Sequence, residues 1–152
     1  MVVFAMKEEL LVKLTDKNDK AACAFADQII AESQDSDRWF PFLDVFASLL
    51  KHPKSLVRNR ALYLLAANAR WDEQGQFEQI LPDFLMLLHD EKAITVRQCI
   101  KALAQLGLAQ PQYTSMILSA LRDADFSAYK DSMRPLIEKD LAETEALLTP
   151  KQ

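Results

Sequence analysis

The sequence predicts an all-α protein built from helical hairpins, and three features carry that prediction. Only two of its 152 residues are glycine, which leaves little material for tight β-hairpins. Apolar residues return every three or four positions along most of the chain, the period of an amphipathic helix. The layout of Leu81 to Gly107 (LPDFLMLLHDEKAITVRQCIKALAQLG) recurs elsewhere, so the helices are expected in pairs that cover one another's apolar stripes. The length suits one domain with a genuine core.

Taken in order, Met6 to Leu14 is expected as a first helix with Leu10, Leu11 and Leu14 inward. Thr15 to Asp19 is a turn cluster, and Asp19 is expected to cap the next helix, whose buried side carries Ala22, Phe25, Ala26, Ile29 and Ile30. After the bend Ser33–Asp37, Asp37 is expected to cap a third helix bearing Trp39, Phe42, Leu43, Phe46, Leu49 and Leu50. Pro41 falls in its first turn, where a missing N–H matters little. The Lys51–Lys54 break precedes a fourth helix, which Ser55 is expected to cap. That helix is apolar nearly all round from Ala61 to Ala67, the mark of a central position. Trp71 to Gln76 is a connector holding one glycine.

In the Leu81–Gly107 unit, Leu81, Phe84, Leu85, Leu87 and Leu88 form one stripe. Ile94, Val96, Cys99, Ile100, Leu103, Ala104 and Leu106 form a second, broader one. Gly107 is expected as a left-handed stop. Pro111 opens a seventh helix with Met116, Ile117, Leu118 and Leu121. Ser127 is expected to cap an eighth, which Pro135 must kink or divide. Leu136 to Leu148 continues as an acid-rich amphipathic helix that Pro150 ends.

Net charge is −4, and an acidic domain repels phosphate backbones unless its charges are strongly polarised, so nucleic acid is disfavoured as a partner. Cys23 and Cys99 both fall on apolar stripes and are expected as buried free thiols. No apolar run approaches the ~20 residues of a membrane span. The start, MVVFAMKEELLVKL, lacks a basic leader, so a cytoplasmic protein is expected. Val2, Val3 and Phe4 are expected to fold back on the core or to form the seam of a homodimer; the chain is otherwise expected to be monomeric.

The openings of the second helices can be aligned. Val57-Arg58 matches Val96-Arg97, then Tyr129-Lys130, and weakly Ala22-Cys23, at separations of 35, 39 and 33 residues. Seven residues before these openings stand Asp16, Asp90 and Asp123, with Lys51 breaking the series. Two helices per period of this size signal an α-solenoid. On these segments the chain resembles the HEAT-repeat family, which has a proline-marked first helix, an aspartate at the bend and Val-Arg opening the second helix. LPDFLMLLHDEKAITVR matches well, FPFLDVFASLLKHPKSLVR matches except for Lys51, DADFSAYK is looser and TDKNDKAAC loosest. The resemblance implies a right-handed α-α superhelix of about four hairpins, with approximate units 4–34, 37–71, 76–107 and 111–148. It also implies pairing of bend aspartates with opening arginines between neighbouring units, and a non-enzymatic scaffold or adaptor.

Motifs for catalysis are lacking. His52 and His89 lie at helix exits without ligand spacing, and no phosphate loop, nucleophile elbow or zinc-protease helix occurs. Glu138, Asp140, Glu143 and Glu145 read as an exposed, solvated face. No cofactor or metal is expected. Second helices of such solenoids line a concave side, and there the sequence offers Arg58, Asn59, Tyr63, Arg97, Gln98, Lys101, Lys130 and Arg134. Arg97 with Lys101 and Lys130 with Arg134 keep a four-residue spacing, which shares a helix face. This basic track is expected to receive an acidic peptide or protein segment. Trp39 and Trp71 are expected to fill the core or the junctions between repeats. Two other readings remain. One is a nucleic-acid repair protein like the DNA-alkylation-repeat glycosylases. The other is a helper in iron–sulfur or tetrapyrrole assembly, which would need a reactive thiol.

Overall fold

A computed structural model describes residues 2–150, and side chains from residue 5 onward. Every regular element among the described residues is helical. The α-helices are α1 (Val2–Leu14), α2 (Asp19–Ser33), α3 (Leu43–Ser48), α4 (Ser55–Asn68), α5 (Phe77–Met86), α6 (Ala93–Ala109), α7 (Thr114–Asp123) and α8 (Arg134–Leu148). No helix among the described residues is long and apolar enough to cross a membrane. The chain divides into two compact units, Met1–Gly75 and Gln76–Gln152, with four α-helices in each. Gly75, at the division, has the one positive φ (77°) among the described residues, a conformation that glycine adopts without steric cost.

In the first unit α2 packs on α4, while α1 and α3 pack against them. Polar bonds set the register. Lys54 Nζ, just before α4, and Arg60 Nη2, in its first half, both donate to Asp19 Oδ1 at the start of α2, at 2.6 and 2.9 Å. At the far ends, Asn68 Nδ2 donates to Ser33 Oγ at 3.2 Å. The second helices of consecutive hairpins therefore run parallel, 35 residues apart at both ends. Helix α4 is buried nearly all round, from Val57 through Asn68, as its continuous apolar sequence requires.

The second unit repeats the plan with a wider spacing. Helix α6 packs most extensively on α8, and α7 contacts both. Arg97 meets Asp140, and Thr144 Oγ1 donates to the Ile100 carbonyl at 3.5 Å, so α6 and α8 run parallel at offsets of 43 and 44 residues. The register expected from Tyr129-Lys130, 33 residues on from Val96-Arg97, is thus displaced by ten residues: residues 124–133 form turns rather than the start of a helix. Ser127 does not cap α8; its amide donates to Asp125 Oδ1 at 2.9 Å. Pro135 neither kinks nor divides a helix but sits in the first turn of α8, where proline is tolerated.

Other boundaries shift for local reasons. Asn18, not Asp19, caps α2, its side chain accepting from the Ala21 amide at 3.1 Å. The third helix opens with a 3-10 turn, Phe40–Phe42, which Asp37 does not cap; Asp37 contributes only its carbonyl, to the Phe40 amide. Ser55 is the first residue of α4 rather than its cap. Gly107 is not a stop, because α6 continues to Ala109. Its lack of a side chain serves packing: a Cβ there would lie 2.7 Å from Leu148 Cδ2 and 3.4 Å from Ile117 Cδ1. The expectation for Val2, Val3 and Phe4 lies outside the described side chains.

Candidate functional site

The residues expected to form a basic track are largely engaged within their own units. Arg58, only 7 % exposed, donates through Nη1 to the carbonyls of His52 and Pro53, both at 2.9 Å. Asn59 and Tyr63 are half-buried on α4. On α6, Arg97 donates through Nε to Asp140 Oδ2 at 2.6 Å and through Nη2 to Oδ1 at 3.4 Å. That hydrogen bond raises the guanidinium's pKa against the opposing effect of desolvation. Gln98 is half-buried, and Lys101, one turn beyond Arg97, is exposed. Lys130 is exposed but lies in the 124–133 turns, so it does not share a helix face with Arg134. Arg134 opens α8 and pairs with Asp131.

Asp140 corrects a second expectation. Glu138 and Glu143 are exposed, but Asp140 is 3 % exposed and faces α6. Its spacing carried the signal: Ile137, Asp140, Thr144 and Leu148 are the buried residues of α8 and recur at intervals of three and four. Arg97's carboxylate therefore belongs to the last helix rather than to a bend. Asp16 and Asp90 each accept from the backbone amide two residues on, at 2.9 Å, the local bond that makes aspartate a turn former.

The thiols separate. Cys99 is fully buried, donates to the Phe84 carbonyl at 3.4 Å, and has its pKa pushed well up by burial. Cys23, expected to be buried, is exposed on α2 beside Asp27; the stripe inward of it is completed by Ala22, Ala26 and Ile29. His52 Nδ1 accepts from the Lys54 amide and His89 is exposed. No group of three or more histidine, cysteine or acidic residues among the described ones is placed to hold a metal ion.

The concave feature that sequence reading missed lies in the first unit. A pocket of about 170 Å³ is lined by Met6, Glu9, Leu10 and Lys13 of α1, Phe25 of α2, and Trp39 and Phe42 of the following turn. Three rings converge there. Phe25 and Trp39 meet edge to face, with centroids 6.4 Å apart and planes at 86°, and Trp39 and Phe42 are tilted at 5.8 Å. Trp39 Nε1 donates to Glu32 at 3.4 Å. Intrachain cations occupy two of the rings: Lys13 Nζ lies 5.3 Å from the Phe25 centroid, and the Arg38 guanidinium 5.1 Å from that of Trp39. Each cation also has an acid, Lys13 with Glu9 at 3.2 Å and Arg38 with Glu32 at 3.0 Å. Trp71 is placed differently, donating to the Ser33 carbonyl at 2.8 Å where α2 ends.

Phe25 lies some fifteen residues from Trp39 and Phe42, so their meeting depends on how the α1–α2 hairpin packs and leaves no local mark in the sequence. No family model matches this chain, and neither a curated protein nor a solved structure matches it.

Proposed function

We propose that this chain is a non-enzymatic helical-hairpin scaffold that binds a protein or peptide partner. The observation that carries this reading is the three-ring pocket of the first unit. A dry cavity of about 150 Å³ accepts one benzene, so a pocket of about 170 Å³ accommodates one aryl or branched aliphatic side chain. Anchoring by one such side chain in an aromatic pocket is how many binding surfaces concentrate their affinity. The parallel stacking of α2 with α4 and of α6 with α8 supports the HEAT-like reading, with four hairpins in a right-handed superhelix. In that reading the second helices offer the partner a wider concave surface, to which Lys101 of α6 contributes an exposed ammonium group. The protein would act in the cytoplasm, as a monomer or weak homodimer.

Selection of displayed random peptides on immobilised protein tests the proposal. The expected result is enrichment of sequences bearing one large apolar residue, with binding lost in Met6→Trp, which fills the pocket from its exposed rim. Met6 is 48 % exposed, so this change leaves the core intact. Absence of enrichment, or enriched peptides that bind Met6→Trp equally well, would overturn the reading.

A further inference from the structure

We infer that this pocket selects an anionic partner segment, one that seats an aryl or branched aliphatic side chain among the rings and brings an adjacent carboxylate to Lys13. The inference rests on the peptide-binding reading and adds the charge of the ligand. An aromatic-lined pocket would ordinarily suit a cation, because ring faces are electronegative. Here two of the three rings already carry cations of the chain, Lys13 on Phe25 and Arg38 on Trp39. A cationic guest would have to compete with those cations for the ring faces, since each is already paired with its own acid.

An apolar guest avoids that conflict, and a carboxylate on it gains a partner. Lys13 Nζ is held close to a ring that lines the pocket. Its acid, Glu9, is the more exposed of the pair, with side-chain exposures of 68 % for Glu9 and 53 % for Lys13. An exposed pair one helical turn apart contributes little stability, so Lys13 can exchange Glu9 for a ligand carboxylate at small cost. Charges farther away on the acidic chain are screened within about 8 Å in physiological salt, which leaves the Lys13–Glu9 and Arg38–Glu32 pairs as the local charges, with the two cations on the rings.

Titration of the ¹⁵N-labelled full chain with three small probes tests this. The probes are N-acetylphenylalanine, N-acetylphenylalanine amide and phenethylammonium. The two indole N–H signals report separately: Trp39 lies in the pocket, and Trp71 serves as an internal control. The expected result is saturable movement of the Trp39 signal, with the carboxylate binding about two- to fivefold more tightly than the amide, the range that one exposed charge pair supports. Phenethylammonium should bind most weakly. Lys13→Gln should erase the preference for carboxylate over amide, and Glu9→Gln should widen it; both sites are exposed, so both variants keep the fold.

Equal binding of carboxylate and amide, a preference that survives Lys13→Gln, or tightest binding of the ammonium would each overturn the inference while leaving a working pocket. No movement of Trp39 with any probe would overturn the pocket reading as well.

Discussion

Removing Arg97 is predicted to destabilise the second unit more than neutralising its partner Asp140. The asymmetry follows from exposure: the Arg97 side chain is 25 % exposed and that of Asp140 only 3 %. Arg97→Met leaves a carboxylate in the α6–α8 interface without either of its hydrogen bonds. Breaking a buried pair from one side typically costs about 3–5 kcal/mol; because water can enter where Arg97 reached the surface, about 2–3 kcal/mol is expected here. Asp140→Asn keeps one acceptor for Arg97, whose partly exposed head can rehydrate, so about 1–2 kcal/mol is expected. Replacing both, as Arg97→Met with Asp140→Leu, should return to within about 1 kcal/mol of the parent, since apolar substitutes for buried pairs often match them. Hydrogen exchange of α6 and α8 peptides along a urea series reads this locally. With a slope of about 2 kcal/mol per molar urea, Arg97→Met should lower the midpoint by about 1–1.5 M. The reasoning fails if Asp140→Asn is the costlier change, or if the apolar pair is as damaged as Arg97→Met.

Three further outcomes follow from other contacts. Hydrogen bonds from Lys54 and then Arg60 hold the Asp19 carboxyl below its ordinary value near 3.8. A depressed acid stabilises the fold above its unfolded pKa and loses that contribution as pH falls through its folded one. Acid titration of first-unit stability should therefore be flatter below about pH 4 in Asp19→Asn than in the parent; an unchanged profile would deny Asp19 that role. Gly107→Ala should destabilise the parent, because the new Cβ lies 2.7 Å from Leu148 Cδ2. In a Leu148→Ala background the same change should instead stabilise by up to about 1 kcal/mol through helix propensity, and thermal melts that show no reversal of sign would refute the packing explanation. Native alkylation followed by mass spectrometry should label Cys23 promptly and Cys99 only after unfolding, since one thiol is exposed and the other fully buried. Rapid labelling of Cys99 would contradict its burial.

The helical architecture was legible in the sequence because it is written in local periodicity. Stripes such as Leu81, Phe84, Leu87 and Leu88 turn out to be buried, and the all-round apolar run in α4 marks a helix enclosed on every side. The rest depends on turn chemistry in one segment and on neighbours distant in sequence elsewhere. DADFSAYK looks like a bend followed by a helix opening, yet Asp125 and Ser127 close a turn and Pro135 delays α8. That delay shifted the expected register, hid Asp140 as the partner of Arg97 and removed Lys130 from a helix face. Gly107 looks like a helix stop by its backbone freedom, whereas the packing of Leu148 explains it. For the candidate site, the sequence shows the individual aromatics but not their convergence, because Phe25, Trp39 and Phe42 sit on two elements and only α1 completes the pocket.

The binding reading is tested most directly by ¹⁵N spectra of the full chain titrated with a peptide selected by display. The account predicts saturable shifts at the Trp39 indole and at the amides of Met6, Leu10 and Phe25, with the Trp71 indole unmoved and every shift abolished by Met6→Trp. Saturation that leaves those signals in place while others move would contradict it, because the partner would then be held somewhere other than the three-ring pocket.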